Sequence, residues 1–522
     1  MKTVKQSRTN ETGGSTHGSV DVVSSDFAGN ASGIQQLTAP SGSLDRPLTY
    51  GIAWTGAMKW LGQMAAWAST LILARILTPS DYGIVGMAAL YLALVTYVAE
   101  FGIGTAIVTM RELDEEQIAQ INSVSVMLGV AGFLLSLAVA KPIAKFFNSP
   151  ALPPVIMVMS LPFIINSFQA VPAALLQKEL RFKLLAVNDA IRSVLLAAAM
   201  VAFAFMGFRY WALVWGNVLS AAIGTALIVA VKRQSFAIPK WNSIRSALHF
   251  SREVLIARIS WYLYTDSDFL VAGKRLGAVT LGAYTVAWNL ASIPMEKITV
   301  LFATVTPAFF SAVQHNIPEL RRYFLQLSEA VAMLTFPLCI GLSLTVRPFV
   351  LVVLGPKWEA AIGPLRLLAI YATLRSVAIL IAPVLNAIRE SRFNMRMAII
   401  SAAVLPPCFY FASRWGATGI AAAWLLVYPL LVAFSFAKIF RCLDLSAGRY
   451  ARSLGPALIG SLGMSLAVLA LKHSEPAGWK PIMRLAAEVA TGALFYFIPI
   501  WLFYRQRLSG FAGRLRALRA SG

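Results

Sequence analysis

The sequence predicts an all-α polytopic membrane protein with about fourteen transmembrane helices. Hydrophobic residues make up 58% of its 522 residues and charged residues only 13%, whereas soluble domains carry about 25% charged residues. Apolar runs of roughly 20 residues, the length that crosses a bilayer core, follow one another between short polar turns. An internal repeat further indicates that twelve of these helices form two equivalent lobes of six.

The repeat is clearest in LILARILTPSDYG, Leu71–Gly83, where one apolar run ends near Arg75 and a turn leads into the next run. A weaker copy, LVAGKRLGAVTLG, follows 199 residues later at Leu270–Gly282, and both stretches end on a glycine. At this offset the basic Arg75 corresponds to the basic Lys274. Because each copy has an even number of spans, both enter the membrane in the same direction, which is typical of parallel transporter repeats.

The apolar runs divide the chain into spans and segments. The fourteen predicted spans begin near residues 51, 82, 118, 151, 184, 209, 252, 280, 326, 361, 396, 416, 450 and 482. The division that follows is a disordered cytosolic tail (1–47), an N-lobe of six helices (48–231), a cytoplasmic interfacial linker that we expect to be helical (232–251), a C-lobe of six helices (252–440), two further helices (441–504) and a basic cytosolic tail (505–522). The first segment is rich in serine, threonine, glycine and asparagine, a composition typical of disorder.

Lysine and arginine predict the orientation of the spans. The chain carries a net charge of +22, and its basic residues are concentrated in the loops that face the cytoplasm when both termini are inside, as membrane proteins require. Basic loops are attracted to anionic lipid head groups, so the charge needs no nucleic-acid partner. The sequence therefore predicts a multi-pass protein of the bacterial cytoplasmic (inner) membrane with both termini in the cytoplasm.

No arrangement of residues indicates an enzyme. The cysteines Cys339, Cys408 and Cys442 and the four histidines are scattered without ligand spacing, so we expect no metal site and no cofactor. We find no catalytic constellation, no phosphate-cradling glycine loop and no ATP-binding motif. The sequence therefore predicts a transporter with no catalytic residues.

Few ionisable residues lie inside the predicted spans, where each costs about 2.5–3.5 kcal/mol on insertion scales. The candidate cations are Lys59, Arg258, Arg366 and Arg375, and the candidate carboxylates are Glu100, Asp266 and Asp268. Lys59 and Arg258 correspond at the repeat offset, although snorkelling of both to the inner head groups is an alternative. Arg366 and Arg375 are expected near one face of the tenth span. Facing one central cavity, these cations would suit a phosphate-bearing substrate, and a carboxylate there could couple transport to protons or sodium ions.

Five separated stretches carry a family resemblance. They are LARILTPSDYGIVGMA (73–88), AEFGIGTAIV (99–108), AKFFNSPAL (144–152), VPAALLQKELRFK (171–183) and LGPKWEAAIGPLRLLA (354–369). Together they resemble the Wzx-type oligosaccharide flippases, in particular the WzxC-like polysaccharide exporters of the multidrug/oligosaccharidyl-lipid/polysaccharide (MOP) superfamily. The resemblance implies two six-helix lobes in a V around a central cavity, plus two C-terminal helices.

The resemblance also implies a function. Such proteins move an undecaprenyl-diphosphate-linked oligosaccharide repeat unit from the cytoplasmic to the periplasmic leaflet by alternating access, for exopolysaccharide, capsule or O-antigen synthesis. When the roles of the family's cavity cations are carried over by helix position, the resemblance implies that Lys59, Arg258 and Arg375 contact the diphosphate. Implied partners are the lipid-linked oligosaccharide, the membrane lipids, and the polymerase and chain-length regulator of the same pathway.

Three alternatives stay open on the sequence alone. A lipid II flippase of the MurJ type would also want a basic cavity. A multidrug antiporter of the same superfamily would want an acidic one, because its cargo is cationic. A membrane O-antigen ligase or polysaccharide polymerase would need a sizeable outer loop with catalytic arginine or histidine, and the longest outer turns here, around 141–150 and 472–481, are short.

Overall fold

The helices are seen in a computed structural model. It describes residues 62–100, 113–240, 265–303 and 313–520, apart from residues 475 and 477, together with the isolated residues 104, 107, 108, 262, 306 and 310. Within these ranges the regular structure is helical, without a strand, and eleven apolar helical stretches are long enough to cross a membrane. The all-α multi-pass prediction is therefore confirmed. The first and seventh predicted spans begin outside the described residues, so the count of fourteen stays a prediction.

The N-lobe helices follow the predicted spans. They are α1 (62–76), α2 (Pro79–Glu100), α3 (Glu115–Phe147), α4 (Leu152–Met159), α5 (Leu161–Lys178), α6 (Phe182–Phe205) and α7 (Trp211–Val231). The turn before α2 is a capping box: the Thr78 backbone N–H donates to the Asp81 carboxylate at 2.9 Å, and the Asp81 N–H donates to the Thr78 hydroxyl at 3.3 Å. Each side chain satisfies an N–H that the helix itself leaves without a partner. The sequence TPSD thus starts α2 at the proline.

The second half repeats this pattern. Its helices are α8 (Ser267–Ala303), α9 (Ile317–Phe349), α10 (Ile362–Ala378), α11 (Ile381–Ala387), α12 (Ser391–Ala412), α13 (Gly416–Cys442), α14 (Ala447–Ser474) and α15 (Pro481–Ala520). The long α8 is broken at Gly277, whose φ of 77° lies in the left-handed region that favours glycine. Gly277 lies 199 residues after Thr78, so the break corresponds to the turn between α1 and α2.

The turns that the sequence predicts on the outer side of the membrane meet at one end of the helices. We call this end, formed by residues 77–78, 148–151, 277 and 350–361, the closed end. Here the Lys357 ammonium donates to the carbonyl oxygen of Arg75 at 2.7 Å, and the Lys274 ammonium donates to the carbonyl oxygen of Phe146 at 2.5 Å. Both hydrogen bonds join the N-lobe to the C-lobe.

Turns that the sequence places on the inner side also contact one another. The Lys232 ammonium lies 2.6 Å from the Glu179 carboxylate, and this hydrogen bond lowers the pKa of Glu179. The Arg321 guanidinium donates to the carbonyl oxygen of Leu443 at 2.6 Å. In these contacts, turns predicted on the outer side meet one another and turns predicted on the inner side meet one another, as the distribution of basic residues leads us to expect.

The linker is not helical where it begins. Residues 233–240 have no regular secondary structure and lie along the first turns of α3. There the Asn122 amide donates to the carbonyl oxygen of Ser235 at 3.1 Å, and the Lys240 ammonium lies 2.8 Å from the Glu116 carboxylate. The prediction of an interfacial helix is thus wrong for this part, because polar side chains of α3 supply the hydrogen bonds that a helix would make internally. Residues 241–250 lie outside the described part of the chain.

The two lobes share one core. Met87, Leu92 and Val95 of α2 belong to the same buried cluster as Leu281 and Tyr284 of α8. The helix α2 and the part of α8 after its break therefore pack against each other between the lobes, each running away from the closed end. The appended α15 packs on the C-lobe, where the Tyr496 hydroxyl donates to the carbonyl oxygen of Met333 at 2.7 Å.

Candidate functional site

Four of the seven predicted site residues have described side chains. Lys59 and Arg258 lie outside the described residues, and Glu100 ends α2 with a side chain that is not described. Asp266, Asp268, Arg366 and Arg375 are described, and all four belong to the C-lobe.

Arg375 lies between an aromatic ring and a carboxylate. Its guanidinium carbon is 5.5 Å from the centre of the Trp288 ring, within the range of a cation–π contact. It also interacts electrostatically with Asp266, whose carboxylate accepts a hydrogen bond of 2.6 Å from the Thr265 hydroxyl. Asp266, just before α8, and Arg375, on α10, therefore lie close enough for an electrostatic interaction.

Arg366 does not share these surroundings. Nine residues correspond to two and a half helical turns, so Arg366 and Arg375 project on opposite sides of α10. Arg366 lies on an exposed stripe with Ile370 and Leu374, whereas Arg375 is half-buried. The expectation that both arginines lie near one face is therefore wrong.

Asp268, in the first turn of α8, is fully buried. One carboxylate oxygen, Oδ2, accepts hydrogen bonds from the Tyr284 hydroxyl at 2.6 Å and from the Trp424 indole N–H at 2.8 Å. The other oxygen, Oδ1, has no hydrogen-bond partner among the described residues, and neither has the buried hydroxyl of the adjacent Ser267. Buried oxygens without partners are costly in a protein interior, so a proton or a small cation bound at Oδ1 would lower this cost.

Aromatic rings surround this carboxylate. The Trp424 ring lies 4.9 Å from Phe409, 5.1 Å from Tyr371 and 5.6 Å from Trp288, measured between ring centres. These rings exclude water and lower the local dielectric constant, which strengthens any electrostatic interaction with the carboxylate. Trp288 also contacts Arg375, so Asp268 and Arg375 lie on two sides of one aromatic cluster.

A cation that the sequence left outside the candidate set lies between the lobes. The Lys297 ammonium, on α8, donates to the side-chain oxygen of Gln63 on α1 and lies 5.8 Å from the centre of the Trp67 ring. Both partners are neutral, and among the described residues no carboxylate lies within ion-pair distance of this ammonium. The neighbouring Glu296 is exposed on another side of the helix. Within the described part of the chain, Lys297 thus has no counter-charge at ion-pair distance.

The direction of the Lys297 side chain opposes snorkelling. Lys297 lies roughly 28 Å along the helix from Ala278 at the closed end, close to the opposite face of a bilayer core of about 30 Å. Helical side chains lean towards the N-terminus of their helix, and the part of α8 that follows the break begins at the closed end. The ammonium accordingly points back into the protein, to Gln63, and not to the nearer head groups.

The spacing of residues in the sequence predicts only part of the arrangement around Asp268 and Lys297. Lys297 is visible as an ionisable residue inside the eighth span, but nothing in the sequence pairs it with Gln63, because the two residues are 234 positions apart. Tyr284 and Trp424 are typical membrane aromatic residues. Tyr284 reaches Asp268 across the break of α8 at Gly277, and the packing of α8 against α13 brings Trp424 to the same carboxylate.

A cleft of about 520 Å³ lies between the lobes at the closed end. Ser80, Ile84 and Met87 of α2 line one side of it, and the turns 147–151 and 274–278 line the others. Its walls come from both lobes, so its width depends on how closely the lobes approach each other here.

Comparison with known proteins gives consistent matches. A family model described as "Polysaccharide biosynthesis protein" matches residues 72–363, more than half of the chain. The chain is 27% identical to the lipopolysaccharide biosynthesis protein WzxC of Escherichia coli (strain K12) over 377 residues, which cover 70% of this chain and 75% of WzxC. It is 23% identical to the succinoglycan biosynthesis transport protein ExoT of Rhizobium meliloti (strain 1021) over 479 residues, 90% of this chain and 96% of ExoT. Among solved structures, the lipid II flippase MurJ in an inward closed conformation has a TM-score of 0.73 at 13% identity and covers 87% of this chain and 99% of its own.

Proposed function

Because the chain belongs to the polysaccharide biosynthesis protein family, we propose that it is a flippase for an undecaprenyl-diphosphate-linked oligosaccharide repeat unit. It moves this unit across the cytoplasmic membrane for exopolysaccharide, capsule or O-antigen synthesis. Family membership confirms the resemblance to Wzx-type proteins seen in the five sequence stretches. The description of ExoT as a transport protein and of MurJ as a flippase supports transport rather than catalysis.

The observation that carries this proposal is the charge of Lys297 between the lobes. An ionised side chain in a membrane interior is costly and marks a substrate or ion pathway. Its partners, the Gln63 amide and the Trp67 ring, are neutral, so the ammonium can bind a phosphate group as a counter-charge without giving up an ion pair to any described residue. A diphosphate that enters between the lobes replaces Gln63 at this position.

The other candidate residues take two roles in this proposal. Arg375, together with Lys59 and Arg258, supplies further positive charge for the diphosphate, and guanidinium groups offer paired donors to phosphate oxygens. The carboxylates Asp268 and Asp266 are candidates for coupling transport to a proton or sodium gradient, with Glu100 as a third. We give Arg366 no contact with the cargo, because it lies on the opposite side of α10 from Arg375.

Transport follows from the packing of the lobes. With the closed end sealed, the cargo head group enters between the lobes from the cytoplasmic side, while its lipid tail stays in the bilayer. Rocking of the lobes then opens the closed end to the periplasm. We place the protein in the cytoplasmic membrane with both termini inside, and we expect the polymerase and the chain-length regulator of the pathway to act after it.

The alternatives are supported less well. A lipid II flippase shares the fold, as the likeness to MurJ indicates, but the named relatives belong to polysaccharide synthesis. A multidrug antiporter needs negative charge for a cationic cargo, and the described charge between the lobes is positive. A ligase or polymerase needs catalytic groups on an outer loop, which the short outer turns do not provide.

Deletion of the gene in its own host tests the proposal. We expect extracellular polymer to disappear while the complete lipid-linked repeat unit accumulates in the cytoplasmic leaflet. Complementation with the wild-type gene is the control. A repeat unit that reaches the periplasmic leaflet normally but is not polymerised would assign the protein to a later step.

A further inference from the structure

Two basic residues at equivalent positions of the repeats fasten the closed end. Arg75 lies in the last turn of α1, and Lys274 lies just before the break in α8. The Arg75 guanidinium donates from Nε to the carbonyl oxygen of Val353 at 2.7 Å and from Nη2 to that of Val352. The Lys274 ammonium donates to the carbonyl oxygen of Phe146 at 2.5 Å. Each cation therefore reaches from its own lobe to the backbone of the other lobe.

The acceptors correspond as well. Phe146 lies at the end of α3, the third predicted span of the N-lobe, and Val352 and Val353 lie in the π-helical turn that continues α9, the third span of the C-lobe. The last carbonyls of a helix lack partners within the helix, and a cation there also interacts favourably with the helix dipole. Each lobe thus caps the third span of its counterpart.

The C-lobe in turn donates hydrogen bonds to carbonyl oxygens in the last turn of α1. The Trp358 indole N–H donates to the carbonyl oxygen of Ala74 at 2.8 Å, and the Lys357 ammonium donates to that of Arg75 at 2.7 Å. Trp358 is fully buried, with its ring 5.4 Å from the Tyr82 ring of α2. Separation of the lobes at this end therefore exposes helix ends on both sides.

We propose that Arg75 and Lys274 are paired latches that hold the closed end shut. They are positioning residues, which act through the approach of the lobes and not by touching the cargo. The inference deepens the proposed function and rests on it for the identity of this end as the exit side. Rocking open breaks both sets of hydrogen bonds, and water can replace them at the membrane surface, so the latches close reversibly.

The latches also give the family motifs a physical role. Arg75 lies in the stretch 73–88, Phe146 in the stretch 144–152, and Lys357 and Trp358 in the stretch 354–369. Three of the five stretches that carry the family resemblance therefore meet at the closed end. These stretches describe the gate between the lobes rather than the place where the cargo binds.

Thiol labelling of purified protein in lipid nanodiscs tests the latches. Met87 lines the cleft of the closed end and is 1% exposed, so a cysteine there, M87C, reacts with a bulky maleimide when this end opens. We compare M87C alone with M87C combined with R75Q, K274Q or both, and the chain without M87C is the blank. The matched control is R275Q, which removes the adjacent cation, whose guanidinium donates to the Tyr410 hydroxyl within the same lobe.

We expect R75Q and K274Q each to raise the labelling rate about fivefold, the shift expected for one lost capping interaction. The double variant should approach the product of the two, because both act on one closure. R275Q should label at the rate of M87C alone, and R75K, which keeps the positive charge, should lie between R75Q and wild type. Should R75Q reduce the yield of folded protein, K274Q and R75K carry the test.

Wild-type rates in R75Q and K274Q would overturn the latches, as would an equal rise in R275Q. The labelling needs no cargo, so its failure counts against the latches alone. Failure of the proposed function would show in transport by the wild-type protein, which carries no substitution.

Discussion

Gly83 and Gly282 occupy equivalent positions in the two repeats, and each meets the backbone of the opposite lobe. A methyl group at Gly83 would collide with the carbonyl oxygen of Ala278, and one at Gly282 would collide with the carbonyl oxygen of Pro79. Ala278 in turn lies 199 residues after Pro79. The two contacts are therefore related by a pseudo-two-fold axis between α2 and α8, like the paired contacts of a symmetric dimer.

Alanine at either glycine should loosen the closed end. Because the clash is with backbone, which cannot rotate away, we expect G83A and G282A each to destabilise the protein by about 1–3 kcal/mol. By the pseudo-symmetry the two effects should be similar. Thermal unfolding in detergent measures them, with G448A as the control, since Gly448 has nothing within 4 Å of the added methyl group. Unchanged stability in both variants would refute the close approach.

Lys297 should matter for its charge and not only for its hydrogen bond. The variant K297Q can still bond to Gln63 but has no charge, so we expect transport to fall at least tenfold while the folded protein survives, because a charge-assisted contact to phosphate is lost. K297R should retain much of the activity. Transport in proteoliposomes measures both.

The control for this experiment is K472Q. Lys472 is also a lysine of a membrane helix, but it lies 3.6 Å from the buried carboxylate of Glu488, outside the two lobes. We expect K472Q to bind and move cargo normally once it is folded. Normal transport by K297Q would remove Lys297 from the cargo site and leave it as an inter-lobe contact only.

Asp268 should link transport to an ion gradient. We expect D268N to lose the stimulation of transport by an imposed proton or sodium gradient, because the amide can neither release a proton nor neutralise a cation. Its –NH₂ group can also face the two donors of Tyr284 and Trp424, at a cost of about 1–3 kcal/mol of stability. The exposed Asp189 provides the control D189N. Gradient stimulation that persists in folded D268N would exclude this carboxylate from coupling.

The sequence predicts the helices and the repeat because both depend on local composition. Apolar runs, the capping box at Thr78 and the break at Gly277 are set by neighbouring residues, so they can be read without tertiary contacts. The linker over 233–240 could not be predicted in this way. Its irregular backbone contacts Asn122 and Glu116, which lie far away in the sequence on α3.

The site is predicted less completely, because its contacts join distant helices. Arg375 and Asp268 are visible as charges inside spans. Their partners become recognisable only in the structure, where α10 packs against Trp288 of α8 and the two parts of α8 meet across the break at Gly277. Lys297 is the clearest case: its sequence context shows a lysine in a membrane helix, and only the structure shows that its ammonium faces a neutral amide on the other lobe.

Reconstituted flipping tests the account most directly. Wild-type protein is placed in liposomes that carry a fluorescent undecaprenyl-diphosphate-linked oligosaccharide in both leaflets, and an impermeant quencher is added outside. We predict that wild-type protein exposes the inner-leaflet half to the quencher, whereas protein-free liposomes and K297Q leave it protected. Protection of the inner-leaflet half by the wild-type protein, as in protein-free liposomes, would contradict the account.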